Sequence, residues 1–230
     1  MNGTDASFLT TEGLLPTPLP PDPMPVAAAW LDEASERALQ PNPNALVITT
    51  VGRETQPTAR VVLCKEFVAD PGYLVFYTNY QSRKAREIAA NSRVGGLFHW
   101  DGLGRQVRIE GVAVRSPAEE SDAYFASRPA GSRLGAWASD QSEAVASREA
   151  LLEQLHGRAA ELGVTVPPGD DAAIPRPAHW GGYRLWASRV ELWTEGASRI
   201  HDRAVWERRL TRDSEHSFHT SGWQCTRLQP

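Results

Sequence analysis

The sequence predicts a mainly β fold, an antiparallel barrel with helices added to it, on three observations. Apolar runs rich in β-branched and aromatic residues follow one another and are joined by short turns. Helical stretches lie between them without the regular strand-helix-strand alternation that a doubly wound parallel sheet needs. The pattern G-x-G-x-x-G is absent from the 230 residues, which argues against a dinucleotide-binding fold.

The N-terminal part divides into an arm and the start of a domain. Residues 1–25 are rich in Pro, Thr and Gly, and we expect a flexible, extended arm there. Residues 26–39 carry apolar side chains at helical spacing, and Asn42-Pro43 ends that predicted helix. We expect residues 26–230 to form a single domain.

The strands are predicted from apolar runs with turn residues between them. They cover residues 45–51, 58–65, 73–78, 94–100, 106–114, 183–193, 204–210 and 223–228. The second and third strands form a hairpin because Asp70, Pro71 and Gly72 supply its turn. Residues 211–222 are polar and are predicted to be a long hairpin connection.

Helices are predicted at residues 82–90, 117–127 and 148–162, with a short irregular or helical turn at residues 132–139. The third of these helices is amphipathic, and one face offers four leucines, Leu151, Leu152, Leu155 and Leu162. Residues 163–182 contain four prolines, which predicts a surface loop.

Composition excludes several classes of protein. A net charge of −4 and a pI near 5.9 argue against a nucleic-acid partner. No apolar segment reaches the roughly 18 residues that span a bilayer, and the first basic residue is Arg37, so we expect no membrane association and a cytoplasmic location. Cys64 and Cys225 indicate neither a disulfide framework nor a zinc site, and we expect no bound metal.

Two cations stand where a helix normally avoids them. Ser82 is a predicted N-cap, and Arg83 and Lys84 follow it in the first turn, where the helix dipole disfavours positive charge. A bound phosphate would explain them, and a solvated charge pair is the alternative. Only Lys65 and Lys84 are lysines among 24 basic residues, and both lie in this region, which suggests that each fits a particular pocket.

Two amide side chains are candidate ligand contacts. Gln106 begins a strand and could donate and accept hydrogen bonds along the edge of a heterocycle, or it could be an ordinary exposed strand residue. Gln141 and Ser142 follow W-A-S-D in a loop that could reach a ligand or a partner subunit.

A hydroxyl, a guanidinium and a second hydroxyl recur at every fourth position. Tyr124, Arg128 and Ser132 would project together if helical geometry persisted, and such a set suits a phosphate dianion. The spacing crosses Pro129, so a structural helix end is the competing interpretation.

The run R-I-H-D-R concentrates positive charge near the C-terminus. Strand alternation would put Arg199, His201 and Arg203 on one face, which is tolerable if water or an anion lies between them. Alternatively, Asp202 pairs with a neighbouring arginine at a solvated edge, and His201 is a satisfied core histidine.

Nine motifs in series over residues 42–230 carry a family resemblance. They read R-V-V-L-C-K, F-Y-T-N, S-R-K, R-Q-V, Y-F-x-S-R-P-x-x-S, G-A-W-x-S-x-Q-S, W-G-G-Y, E-L-W and R-I-H-D-R, and the chain ends R-L-Q-P. The sequence resembles the pyridoxine/pyridoxamine 5′-phosphate oxidase family. The resemblance implies a split β-barrel homodimer with two FMN sites at the subunit interface. It also implies oxidation of pyridoxine or pyridoxamine 5′-phosphate to pyridoxal 5′-phosphate, with O₂ reduced to H₂O₂.

The resemblance also implies roles for individual residues. The FMN-binding positions would be Arg60, Val61, Val62, Leu63, Cys64, Lys65, Tyr77, Thr78, Arg83, Lys84, Gln106, Gln141, Ser142, Trp193 and Arg203. Among them, Arg60, Arg83 and Lys84 would hold the FMN phosphate, with Gln106, Trp193 and Arg203 around the ring and Gln141 and Ser142 supplied by the other subunit. Lys65, Tyr124, Arg128 and Ser132 would bind the substrate phosphate, and Arg199 and His201 would be the catalytic pair over the pyridine ring.

This chain departs from the family pattern in three places. Family members often carry an Arg and a Tyr in the N-terminal arm that close over the substrate, and residues 1–30 contain neither. Cys64 replaces an aliphatic residue and is expected to be a small buried hydrophobe. The loop at residues 163–178 is longer than in shorter members.

Two other functions fit parts of the same pattern. A phenazine-biosynthesis flavin oxidase shares the barrel, but such relatives tend to lose the substrate-phosphate residues. A non-catalytic module that binds FMN or pyridoxal 5′-phosphate is the other alternative, and the presence of Arg199 and His201 argues against it.

Overall fold

The barrel is closed by six antiparallel strands. The computed structural model describes residues 13–230. The barrel strands are β1 (Ala45–Val51), β2 (Pro57–Val68), β3 (Tyr73–Asn79), β4 (Arg93–Trp100), β5 (Arg105–Arg115) and β6 (Trp180–Thr194). They pair in the order β6-β3-β2-β1-β4-β5, and β5 pairs with β6 to close the ring.

The remaining strands lie outside the barrel. They are β7 (Asp202–Glu207), β8 (Leu210–Arg212), β9 (Phe218–Thr220) and β10 (Gln224–Leu228). Strand β7 pairs with the C-terminal half of β6, and β10 pairs with β7. Strands β8 and β9 form a separate hairpin.

Residues 13–230 form five α-helices in addition to the strands. They are α1 (Met24–Arg37), α2 (Arg83–Ala90), α3 (Ala118–Ser127), α4 (Ala130–Ala138) and α5 (Arg148–Glu161). No helix in the described part of the chain is long and apolar enough to cross a membrane.

The barrel interior is filled because side chains alternate along its strands. In β1 every second residue is buried, and Leu46 and Ile48 point inward with Phe98 of β4 and Leu185 of β6. Helix α1 adds Trp30 to the same core. A second, smaller core lies between α3, α4, α5 and the start of β6.

Most predicted elements are present, and β1 has the predicted bounds. The β2–β3 hairpin is also confirmed. The structure differs at the long proline-rich segment, because Ile174 and Pro177 are buried and β6 already begins at Trp180. The predicted loop at residues 163–182 therefore ends at His179, and it does not simply cross the surface, because apolar side chains along it pack on the second core.

Three further expectations need correction. The predicted irregular or helical turn at residues 132–139 is a regular helix up to Ala138, and the predicted connection at residues 211–222 contains β9 and most of β8, which pair as a hairpin. Leu152 is 42% exposed, so only part of the predicted leucine face of α5 is covered.

The predicted arm, residues 1–25, lies partly outside the described residues. Residues 13–23 are packed rather than free, because Leu15 is buried and its N–H donates to Asp202 (3.0 Å). Arg227 also donates to the carbonyl of Pro16 (2.9 Å), and the indole of Trp206 donates to the carbonyl of Pro20 (2.8 Å).

Candidate active site

The start of α2 gathers one group of polar side chains. The Ser82 hydroxyl accepts from the N–H of Ala85 (3.4 Å), so it caps the helix as predicted. The Lys84 ammonium donates to Thr78 (2.9 Å), Ser82 (3.2 Å) and Gln141 (2.6 Å). All three acceptors are neutral, so Lys84 has no carboxylate partner among residues 13–230.

A buried carboxylate organises the two arginines beside Lys84. Glu87 accepts from Arg83 (2.9 Å), Arg60 (3.1 Å) and the hydroxyls of Thr50 (2.5 Å) and Thr58 (2.6 Å). Burial alone would raise the pKa of Glu87, but these four hydrogen bonds outweigh it and lower the pKa to about 2. Glu87 therefore stays ionised and joins β1, β2 and α2.

We call Arg60, Thr78, Arg83, Lys84 and Gln141 the α2 cluster. Burial, with the Arg60 charge nearby, lowers the pKa of Lys84 to about 8. The sequence did not single out Glu87, although a glutamate four residues after Arg83 is a recognisable helical pair.

The position of Gln141 and Ser142 corrects one expectation. The resemblance assigns both residues to the other subunit, whereas here they contact the α2 cluster of their own chain. Gln141 accepts from Lys84, and the Ser142 hydroxyl accepts from the N–H of Arg83 (3.2 Å). The loop after α4 folds back over the start of α2, which sequence spacing alone could not predict.

A second group of side chains stacks beside α3. Tyr77 and Tyr124 are stacked with ring centroids 4.0 Å apart, and Trp180 lies parallel to Tyr77 at 5.4 Å. The Arg128 guanidinium lies over the Trp180 ring at 4.7 Å, and the Lys65 ammonium is 5.9 Å from the Tyr124 ring. We call these five residues the α3 cluster.

Two buried polar atoms of the α3 cluster lack partners. The Tyr77 hydroxyl and Nη1 of Arg128 accept or donate no hydrogen bond within residues 13–230. Burial raises the pKa of Tyr77 and lowers that of Arg128. Since buried polar groups are normally paired, these atoms fit a ligand that accepts hydrogen bonds.

The predicted helical alignment of Tyr124, Arg128 and Ser132 is met only in part. Helix α3 ends at Ser127, and α4 starts after Pro129, so the register is broken there. Tyr124 and Arg128 still meet over Trp180. Ser132 is exposed, and its role in phosphate binding stays a prediction.

A third group lies in a row across three strands. Gln106, Trp193 and Arg203 are direct register partners on β5, β6 and β7, and we call them the ring row. Arg203 donates twice to Glu191, at 2.9 and 2.8 Å, and Glu191 is buried at 2% exposure. Glu191, which the sequence analysis did not name, therefore fixes Arg203 beside Trp193.

The R-I-H-D-R run is not a continuous strand, so the predicted alternation is wrong. Residues Ala197–Arg199 form a 3₁₀ turn in which Ser198 and Arg199 have positive φ angles of 53° and 64°. Strand β7 begins only at Asp202. The alternative pairing does occur, because Asp202 forms an ion pair with Arg227.

His201 is oriented by the turn that precedes it. Its ring lies 4.6 Å from the Trp193 ring, and its Nδ1 accepts from the N–H of Gly196 (3.2 Å). A neutral ring with Nδ1 as acceptor carries its proton on Nε2. His201 and Arg199 line a cleft of about 780 Å³ together with Arg105 and Glu195.

The R-V-V-L-C-K strand has two different faces. Cys64 is buried, and burial raises the pKa of its thiol to about 12, so it behaves as the small hydrophobe expected. Val62 packs against the barrel core. Val61 and Leu63 are 63% and 36% exposed, and their expected contact with FMN stays a prediction.

The α2 cluster and the ring row lie at opposite ends of β6. Thr78 pairs with Gly181 near the start of this strand, and Trp193 lies near its end. Trp193 follows Gly181 by twelve positions along β6.

Family comparison agrees with this architecture. A sequence model described as pyridoxamine 5′-phosphate oxidase matches residues 31–157. A second, described as pyridoxine 5′-phosphate oxidase C-terminal dimerisation region, matches residues 180–230. A pyridoxine/pyridoxamine 5′-phosphate oxidase from Rubrobacter xylanophilus is 46% identical over 221 residues, which cover 96% of this chain and 93% of the relative. One from Paraburkholderia phytofirmans is 48% identical over 201 residues, 87% of this chain and 85% of the relative.

Solved structures share the fold. PhzG from Burkholderia lata 383, in complex with tetrahydrophenazine-1-carboxylic acid, has a TM-score of 0.77 and 30% identity, covering 93% of this chain and 95% of PhzG. A pyridoxamine 5′-phosphate oxidase-related, FMN binding protein from Nostoc punctiforme has a TM-score of 0.64 and 16% identity over 90% of this chain and 98% of that chain.

The barrel and the relatives it matches define a split-barrel protein of an oxidoreductase family. The chain belongs to the pyridoxine/pyridoxamine 5′-phosphate oxidase family. It carries the dimerisation region of that family, which indicates a homodimer.

Proposed function

We propose that the protein oxidises pyridoxine 5′-phosphate or pyridoxamine 5′-phosphate to pyridoxal 5′-phosphate with bound FMN. Pyridoxine 5′-phosphate and O₂ would give pyridoxal 5′-phosphate and H₂O₂. The amine substrate would also consume water and release ammonia. The observation that carries this proposal is the pair of separate cation clusters, one at α2 and one at α3, each with cationic groups free to meet a phosphate.

The charge of the α2 cluster suits the FMN phosphate. Arg60, Arg83 and Lys84 supply three positive charges, and Glu87 cancels one of them. The remaining two charges match a phosphate dianion, and the N–H groups at the start of α2 add donors. When bound, FMN would supply the ring that accepts a hydride from the substrate and transfers the electrons to O₂.

The ring row is the part of the site that a second chain would contribute. The matched dimerisation region, residues 180–230, contains Trp193 and Arg203, so both residues lie in the part of the chain that pairs with a second copy. In a homodimer, the α2 cluster of one chain could meet Gln106, Trp193 and Arg203 of its partner. This assignment replaces the expected contribution of Gln141 and Ser142 by the other subunit.

The α3 cluster suits the phosphate of the substrate. Lys65 and the unpaired Nη1 of Arg128 are cationic donors, and the unpaired Tyr77 hydroxyl belongs to the same aromatic stack. His201 lies against Trp193 of the ring row, so the partner chain would supply it together with Arg199. Arg199 of the partner subunit would hold the pyridine ring, and the partner's His201 would donate from Nε2 to a substrate oxygen. A donor role for His201 follows from its Nδ1 contact with Gly196 and differs from proton abstraction.

The test is the spectrum and turnover of the purified protein. We expect a yellow protein whose flavin absorbance is bleached when pyridoxamine 5′-phosphate is added without O₂ and returns on aeration with release of H₂O₂. A colourless protein that takes up no FMN would contradict the proposal. Bleaching by a dihydrophenazine-type substrate and not by either vitamer would instead favour the phenazine-type function suggested by the similarity to PhzG. Flavin binding with no substrate oxidation would leave a binding module.

A further inference from the structure

Trp180 is a buried aromatic residue that the sequence does not assign to the site, yet it contacts the cation best suited to the substrate phosphate. The Arg128 guanidinium lies 4.7 Å from the Trp180 ring centroid and 5.5 Å from the ring of Phe125. Arg128 has no carboxylate within ion-pair distance in the part of the chain that the structure describes. Its position is therefore set by aromatic faces and not by a counter-ion.

The stack beneath Arg128 is rigid. Trp180 is nearly parallel to Tyr77 (9°) and to Tyr124 (8°), and it meets Phe125 edge-on at 5.0 Å. The indole therefore has neighbours on several sides, which prevents it from rotating away from Arg128.

Helix α3, which leads into Arg128, is fastened to the same end of β6. Glu120 accepts twice from Arg184, at 2.8 and 3.2 Å, and the Ser121 hydroxyl accepts from the N–H of Gly182 (3.1 Å). Asp122 accepts from Arg176 (2.6 Å), which also donates to the carbonyl of Trp180 (2.7 Å). Three consecutive residues of α3 thus fix its distance from Trp180.

We propose that Trp180 is a positioning residue for phosphate recognition. Its indole face holds the Arg128 guanidinium so that the buried, unpaired Nη1 is available to the phosphate of the substrate. A carboxylate in this place would neutralise Arg128 and compete with the phosphate, whereas an aromatic face orients the cation and leaves its charge uncancelled. This inference rests on the proposed function, since it names how the same site selects a phosphorylated substrate.

The experiment compares Trp180→Leu with Trp186→Leu in the FMN-loaded enzyme. Trp186 is the matched control, because it is a buried tryptophan of the same strand. Its ring lies 4.8 Å from that of Tyr73, tilted by 38°, and no arginine lies over it among residues 13–230. We expect Trp180→Leu to raise KM for pyridoxine 5′-phosphate about ten-fold and to change kcat less than about two-fold. Trp186→Leu should leave KM within about two-fold of the wild-type value.

A double-variant cycle tests whether Trp180 acts through Arg128. Arg128→Ala should raise KM about 100-fold, and adding Trp180→Leu to it should have little further effect. If the fold-increases in KM of the two single substitutions multiply in the double variant, the proposal is overturned. An unchanged KM in Trp180→Leu, or an equal rise of KM in Trp186→Leu, would also overturn it.

Two further measurements keep the test decisive. If Trp180→Leu does not fold, Trp180→Phe should raise KM about three-fold while Trp186→Phe does not, because Phe is the weaker cation-binding ring. If the wild-type protein shows no turnover, the proposed function fails, but calorimetry with pyridoxal 5′-phosphate and with unphosphorylated pyridoxal still tests Trp180. If Trp180 positions Arg128, Trp180→Leu should weaken the binding of pyridoxal 5′-phosphate and leave the binding of pyridoxal unchanged. Equal weakening of both ligands would overturn the proposal.

Discussion

Lys84 is the residue whose chemistry depends most on its surroundings. Its pKa of about 8 lies below the ordinary value of a lysine because it is partly buried beside Arg60. The FMN phosphate is fully ionised above about pH 7, so the lysine is the group that titrates between about pH 7 and 9. We expect FMN to bind apoprotein progressively more weakly as pH rises through 8, measured by quenching of flavin fluorescence.

The control for this titration is Lys84→Arg. A guanidinium remains charged throughout this pH range, so the variant should bind FMN with a dissociation constant that hardly changes with pH. The same pH dependence in the wild type and in Lys84→Arg would show that another group is responsible and would contradict the assignment.

Glu87 should stabilise the fold in a pH-dependent way. Its folded-state pKa of about 2 is below the ordinary 4.5, so its contribution is fully present above pH 4.5 and is lost as pH falls toward 2. We expect Glu87→Gln to lower the free energy of unfolding in urea by about 3 kcal/mol at neutral pH, because two arginines lose their shared carboxylate.

The difference in the free energy of unfolding between the wild type and Glu87→Gln should become smaller below about pH 4.5. Glu143→Gln serves as control, since Glu143 is an exposed partner of Arg86 and its loss should cost less than about 0.5 kcal/mol. A stability loss in Glu87→Gln no larger than in Glu143→Gln would contradict the structural role of Glu87.

The cations of the site could be found from the sequence, whereas the residues that orient them could not. Arg83 and Lys84 stand out because they occupy the wrong end of a helix. Glu191 and Trp180 act on Arg203 and Arg128 through contacts between strands or between strand and helix, and no local pattern marks such contacts. Sequence reasoning therefore named the candidate ligand-binding cations and missed the residues that orient them.

At the scale of elements, the cap of α2 would link the stability of this helix to the proposed binding of FMN. Ser82 satisfies an N–H of the first turn and also accepts from Lys84 (3.2 Å). We expect Ser82→Ala to lower the free energy of unfolding by about 1 kcal/mol and to weaken FMN binding as well. Urea unfolding and FMN titration measure the two effects.

Ser147→Ala is the matched change, because Ser147 caps α5 in the same manner by accepting from the N–H of Ala150 (3.1 Å). It should cost similar stability and leave the FMN dissociation constant unchanged. If Ser147→Ala also weakens FMN binding, the loss of the α2 cap affects FMN binding only by lowering the stability of the whole protein.

Sequence periodicity predicted poorly the segment in which residues other than glycine adopt positive φ angles. The R-I-H-D-R run has the composition of a strand, but Ser198 and Arg199 adopt left-handed conformations and turn the chain before β7. A residue other than glycine in that region is held by its surroundings, which a periodic pattern does not encode. Pro129, by contrast, is visible in the sequence as a helix breaker. It separates α3 from α4, so Ser132 does not continue the helical alignment of Tyr124 and Arg128.

At the scale of the whole molecule, the two ends of β6 carry the two groups of residues that we propose to bind FMN. The α2 cluster lies beside its start, and the ring row crosses its end. The barrel itself was predictable from strand succession and turns, but the distance between these groups depends on how β6 passes from β3 to β7, which requires the full topology. The account therefore depends on residues from two chains meeting at one flavin.

Complementation between two inactive variants tests this claim most directly. One variant combines Arg60→Ala with Lys84→Gln in the α2 cluster, and the other combines Gln106→Ala with Arg203→Ala in the ring row. When the two are dissociated, mixed and reassembled with FMN, we expect about a quarter of the wild-type rate, because about half of the dimers are hybrids with one intact site of two. If the mixture remains as inactive as either variant alone while hybrid dimers form, each chain builds its own site and the account is contradicted.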